Sequence, residues 1–202
     1  MKSSMPYYGL PSPVLKRVLR PILASYAPGD RATWETTVRE LWDGATHREE
    51  RYAATALARH RAARPWQDPR ALGLYRHLVV TGAWWDHVDE VAAHLVGGVL
   101  AGHREKVTPV MRAWARDDDL WIRRTAVLCQ LRHRTDTDTD LLRDVIVANI
   151  EDTSFWLRKA IGWALREFSR WDPDWVRSEV DRLGDRLSGL SRREATRRLA
   201  VG

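Results

Sequence analysis

Cysteine is all but missing from this 202-residue sequence: Cys129 is the only one, which excludes an intramolecular disulfide and a zinc site built from four thiolates of one chain. It lies in the apolar run Thr125-Ala-Val-Leu-Cys-Gln-Leu131, where a buried structural thiol is expected rather than a nucleophile. Long hydrophobic stretches are lacking too. Nowhere do about 18 apolar residues run together, and the opening Met-Lys-Ser-Ser-Met-Pro-Tyr-Tyr has no apolar leader segment, so a soluble protein of a reducing cytoplasm is expected, with no membrane contact. The seven histidines are scattered, with no His-x-x-x-His pair and no His-Glu-x-x-His, so no metal site is expected. A phosphate-cradling glycine loop, a Gly-x-Ser-x-Gly elbow and a paired-carboxylate constellation are likewise missing, and no cofactor is called for.

Strand signals are equally scarce. Gly and Pro punctuate long stretches of Leu, Ala, Arg and Glu in which apolar residues recur at helical spacing, as at Leu157, Ala160, Ile161, Ala164, Leu165 and Phe168. An all-α fold follows. Trp121-Ile-Arg-Arg-Thr-Ala matches Trp156-Leu-Arg-Lys-Ala-Ile, and the same offset of about 35 residues reaches Ser191-Arg-Arg-Glu-Ala-Thr. Stepping backwards lands on Trp85-Asp-His-Val-Asp and then on Arg48-Glu-Glu-Arg-Tyr-Ala, each opening a helix. Between these inner helices lie partners near 69–80, 106–115, 140–149 and 174–183. Helix pairs repeating in the mid-thirties predict a HEAT-like α-solenoid: a curved superhelix whose pairs bury their apolar faces only by stacking, with a concave face lined by the inner helices. The run Thr135-Asp-Thr-Asp-Thr-Asp140 reads as a loop, since it has neither the glycine nor the terminal glutamate of a calcium-binding hand.

The charge balance is +6, which favours a polyanionic partner such as nucleic acid; the alternative is an arginine-rich surface that is merely solvated. Eleven tryptophans is a high count, and Trp42, Trp84, Trp114, Trp171 and Trp175 are read as packing residues. Others fall off the core stripe. Trp156, Lys159, Trp163 and Arg166 share one helix face, a mixture of indoles and cations suited to a charged, ring-bearing ligand. In the helix with Val88, Val91, Ala92 and Leu95 on its core side, Trp85 and Asp89 are neighbours on the flank, while Asp86 is expected to cap the helix or complement its dipole.

Four segments carry a resemblance. Thr81-Gly-Ala-Trp-Trp-Asp-His-Val-Asp89, Leu120-Trp-Ile-Arg-Arg-Thr-Ala126, Arg158-Lys-Ala-Ile-Gly-Trp-Ala-Leu-Arg-Glu167 and Leu190-Ser-Arg-Arg-Glu-Ala195 occur in order over nearly the whole chain and are similar to the AlkD family of HEAT-like DNA glycosylases. The resemblance implies one glycosylase domain over 1–202, acting on duplex DNA that contains cationic N3- or N7-alkylated purines, as a bacterial, nucleoid-associated base excision repair enzyme. It implies Asp89 as the catalytic carboxylate, Trp85 and Trp163 against the sugar and backbone of the lesion, Arg124 holding that backbone, and no base-specific pocket for a flipped base. Lys159, Arg166, Arg193 and Trp156 are expected to complete the DNA contacts. The family's additional N-terminal helical segment, with its aromatic at the DNA surface, is expected to be missing. A monomer is the default, and a noncatalytic DNA-binding relative or a protein-interaction scaffold are the alternatives.

Overall fold

The computed structural model describes residues 5–199; the two ends of the expected unit 1–202 lie outside them. The described residues are helical and contain no strand. After α1 (Ser12–Ala24), five helix pairs follow: α2 (Arg31–Asp43) with α3 (Arg48–Ala58); α4 (Leu72–Gly82) with α5 (Trp85–Glu90); then, beyond α6 (Gly97–Gly102), α7 (Arg104–Trp114) with α8 (Leu120–Leu128); α9 (Thr139–Val147) with α10 (Phe155–Phe168); and α11 (Pro173–Leu183) with α12 (Gly189–Thr196). The inner helices pack in chain order, α3 on α5, α5 on α8, α8 on α10 and α10 on α12. This is the HEAT-like solenoid that the sequence period predicts.

The starts of these helices are written locally. Asp119, Asp138, Ser154, Asp172 and Ser188 each accept a backbone N–H from the first turn of α8, α9, α10, α11 and α12 respectively. Of the acidic-threonine run, Thr135 to Asp138 form a short 3-10 turn and the Asp138 cap, while Thr139 and Asp140, expected in the loop, already open α9, because the Asp138 carboxylate caps it there. Every residue of the predicted stripe on α10 is buried, as are Val88, Val91, Ala92, Leu95 and Cys129, whose thiol burial pushes up to about 12. Trp42 and Trp114 are buried and Trp175 is partly so. Trp171 is not a packing residue: it is 44% exposed, because it lies in the turn after α10 rather than on the stripe, and Arg134 lies 5.7 Å from its ring centroid.

Neighbouring pairs are also joined by ions. Arg31–Asp68, Arg76–Asp117, Arg112–Asp144 and Arg143–Glu179 each link one repeat to the next. The exposed members of this ladder contribute little each, on the order of 0.2–1 kcal/mol. The repeats also touch backbone to side chain. A Cβ on Gly162 would sit 2.5 Å from Glu194 Cβ and 2.7 Å from the Ser191 carbonyl, and one on Gly97 would sit 2.3 Å from the Cys129 carbonyl. Glycine lets α12 close onto α10, and α6 onto the end of α8.

The chain before α1 is pinned by a carboxylate that the sequence shows only as the opening of a helix. Buried Glu49 accepts the backbone N–H groups of Tyr8, Gly9 and Leu10. The turn that converges them needs Gly9 at φ +82°, where a side chain would be strained.

Candidate active site

Helix α5 continues without a break into a π-helical turn, Val91–Val96, and then into α6. Ahead of that turn, Trp85, Asp86, Asp89 and Glu90 project into a cleft of about 330 Å³, closed on the other sides by Ala93, His94, Leu131, Arg132, Trp163 and Glu167. Trp85 is 36% exposed, the most open of these indoles, and Trp163 rests partly on the core. The structure therefore brings together Trp85, Asp89 and Trp163 as the sequence leads one to expect.

Asp89 is held by a fork. Arg124 Nε donates to Asp89 Oδ1 at 2.8 Å and Nη2 donates to Oδ2 at 2.9 Å, while Nη1 donates to the Trp156 carbonyl at 2.5 Å. Burial pushes the Asp89 carboxyl above the ordinary carboxylate range, and the Arg124 guanidinium opposes that rise. Arg124 is 3% exposed. The resemblance makes it a holder of the DNA backbone; in the structure its guanidinium is turned inwards and its donors hold Asp89 and the start of α10.

Asp86 lies in the first turn of α5, where its charge complements the helix dipole as expected and its Oδ1 accepts the His87 backbone N–H, and it has a further role. Its carboxylate pairs with Arg48 and accepts from the Tyr52 hydroxyl at 2.5 Å, across the α3–α5 contact. Burial acts to raise its pKa, but these two partners outweigh it and leave the carboxyl below its usual range. Beside it, His87 is 1% exposed against the rings of Trp42 and Tyr52; burial pushes its pKa down to about 4, so it is neutral at pH 7. Arg48 and Tyr52 carried no signal in the sequence beyond a helix start. Their function is visible only once α3 is laid against α5.

The expected phosphate contacts divide. Lys159 and Arg166 lie on one face of α10, but both ammonium and guanidinium are turned onto Glu194 of α12, Lys159 Nζ at 2.5 Å. They clamp two repeats together instead of standing open as cations. Arg193 is exposed on α12. Trp156 packs within an aromatic cluster, its ring centroid 5.6 Å from Trp84, 5.5 Å from Trp121 and 5.2 Å from Phe155, next to the cleft rather than in it. Arg132, which sequence reasoning passed over, lines the cleft and is exposed.

Among the described residues no group of three or more His, Cys, Asp or Glu could hold a metal ion, and no helix is long and apolar enough to cross a membrane.

The sequence matches the family described as DNA alkylation repair enzyme over residues 1–199. The fold is similar to that of a predicted DNA alkylation repair enzyme from Enterococcus faecalis, with a TM-score of 0.87 and 27% identity, covering 98% of this chain and 90% of that one. It is also similar to AlkD2 from Streptococcus mutans, with a TM-score of 0.69 and 20% identity over 91% of this chain and 89% of that one, a likeness of fold alone. A search of curated protein sequences found no match.

Proposed function

The chain belongs to the DNA alkylation repair enzyme family, and from that premise we propose that it is a monofunctional DNA glycosylase hydrolysing the N-glycosidic bond of cationic N3- and N7-alkylated purines in duplex DNA. The observation that supports this most is a largely buried carboxylate, Asp89, gripped on both oxygens by Arg124 and opening between Trp85 and Trp163 into the cleft.

Alkylation at purine N3 or N7 makes the base a cation, so it departs with the bonding electron pair as a neutral molecule and needs no proton from a general acid. That removes the need for the second carboxylate that sugar hydrolases use. As the C1′–N bond breaks, positive charge develops on the deoxyribose. An Asp89 anion, fixed in place before the reaction, stabilises that charge and orients the water whose oxygen bonds to C1′ and whose proton is released. The π faces of Trp85 and Trp163 favour the same cationic sugar. Asp86 is not given this role: it accepts from Arg48, the Tyr52 hydroxyl and the His87 backbone N–H, one donor more than Asp89 takes from Arg124, and is tied into the α3–α5 contact. Recognition through sugar and backbone needs no enclosed base pocket, and neutral lesions such as uracil are expected to be poor substrates.

The test is release of free N7-methylguanine from methylated duplex DNA. The wild-type protein is expected to release it, and Asp89→Asn to lose at least about a hundredfold in rate, the scale for removing one preorganised stabilising group, while binding DNA as before. Binding without release by the wild type would instead identify a noncatalytic relative.

A further inference from the structure

Each carboxylate that lines the cleft has its own cation. Asp89 is matched by Arg124, Asp86 by Arg48, Glu90 by Arg59, and Glu167 by Arg170 at 3.1 Å. Arg132 is the exception: it lines the cleft beside Trp163 and, among the described residues, makes no ion pair. The same arginine also lines a second hollow of about 740 Å³, bounded by Ala101, Arg104, Arg132, His133, Arg134, Thr135 and Asp136. Arg104 and Arg134 likewise make no ion pair among the described residues. Three arginines without an acid partner thus stand together next to the cleft.

The hollow has a built wall. His133 is buried, and its Nε2 lies 2.9 Å from the Gly97 carbonyl, so Nε2 carries the proton and Nδ1 is left as the acceptor that faces Arg104 Nη2 at 3.4 Å. Arg104 also donates to the Asp136 carbonyl. Its guanidinium is thus oriented by a neutral ring and a carbonyl, neither of which cancels its charge. Arg134 stands at φ +56°, a conformation that non-glycine side chains seldom adopt, and its guanidinium lies over the exposed Trp171.

Resting on the glycosylase reading above, we propose that Arg132, Arg104 and Arg134 form a phosphodiester-binding track that carries one DNA strand out of the cleft, and that these three, rather than Lys159 and Arg166, supply the cationic contacts on this side. A strand whose sugar lies between Trp85 and Trp163 reaches Arg132 first, and its next phosphates meet the hollow. No base edge is read there, so the contribution is independent of sequence and sensitive to salt.

The test is affinity for lesion-free duplex DNA, titrated by fluorescence anisotropy over a series of NaCl concentrations. The wild type is compared with Arg132→Ala, the double variant Arg104→Ala/Arg134→Ala, and Arg177→Ala on the far helix α11 as control. The slope of log affinity against log salt should fall by about 0.9 for each phosphate contact removed: about one for Arg132→Ala, about two for the double variant and none for the control. Circular dichroism checks folding, and Arg132→Gln supplies a second neutral variant at the same exposed position. Unchanged slopes in folded variants overturn the proposal. Base release measured in parallel separates the two readings: release with unchanged slopes refutes the track alone, and reduced slopes without release refute the glycosylase alone.

Discussion

Replacing Arg124 by Met removes both donors from Asp89 and leaves a carboxylate buried without its counter-charge. Asp89 and Arg124 side chains are only 11% and 3% exposed, so water cannot substitute for the lost partner. Breaking such a pair costs about 3–5 kcal/mol, a large part of the 5–15 kcal/mol or so that holds a domain together. At about 2–4 °C per kcal/mol for a chain of this size, the melting temperature should fall by on the order of 10 °C. The double variant Arg124→Met/Asp89→Leu, with neither charge left to bury, should recover most of that loss. Urea unfolding followed by circular dichroism closes the double-mutant cycle. The pH dependence has a definite sign. With Arg124 gone, burial raises the native carboxyl still further above its unfolded value, so the native state binds a proton that the unfolded chain does not. The single variant must therefore regain stability as the pH falls from neutral towards the unfolded carboxylate pKa, about 3.9. A loss under about 1 kcal/mol, with a coupling no larger than an exposed pair gives, would refute the claim that Arg124 exists to hold Asp89.

Three other outcomes follow from the same geometry. Since burial raises the Asp89 carboxyl and the reaction needs its anion, single-turnover base release should decline on acidification at a pH above the ordinary carboxylate range; a limb at or below about 3.9 would sink the assignment. Gly162→Ala places a methyl 2.5 Å from Glu194 Cβ and should cost about 1–3 kcal/mol by overpacking, read as a lower urea midpoint. Cys129, 1% exposed and with its thiol pushed up to about 12, should resist a thiol reagent in the native protein and react in full once it is unfolded; rapid labelling of the native chain would contradict that burial.

Much of the fold was legible because a solenoid repeats itself. The stripe on α10 is a local pattern, decided within a few turns of chain, and the period of about 35 residues places the inner helices without any structure. The central residues of the candidate site were legible through motif similarity at Trp85, Asp89, Arg124 and Trp163. What was hidden is pairing at a distance. Nothing near Lys159 in the sequence tells that Glu194 will face it, and Asp86 looks like any acidic residue in a first turn until Arg48 and Tyr52 arrive from the preceding repeat. A cation's neighbours in space decide whether it is open to a phosphate, and those neighbours lie one repeat away.

The π-helical turn at Val91–Val96 gives residue count a meaning of its own. An α-helix advances about 100° per residue, so the extra residue held in that wider turn sets the rotational phase between the two halves of the helix. The far half is fixed, because Gly97 sits against the Cys129 carbonyl and its own carbonyl accepts from His133. Deleting one residue between Val91 and Val96 would leave Trp85, Asp89, Arg124 and Trp163 in the sequence, yet swing Asp89 by about a quarter of a turn, away from Arg124. The position of the carboxylate is thus encoded as a length, and a chain with the same motif but one residue fewer before that glycine would have to aim its acid elsewhere.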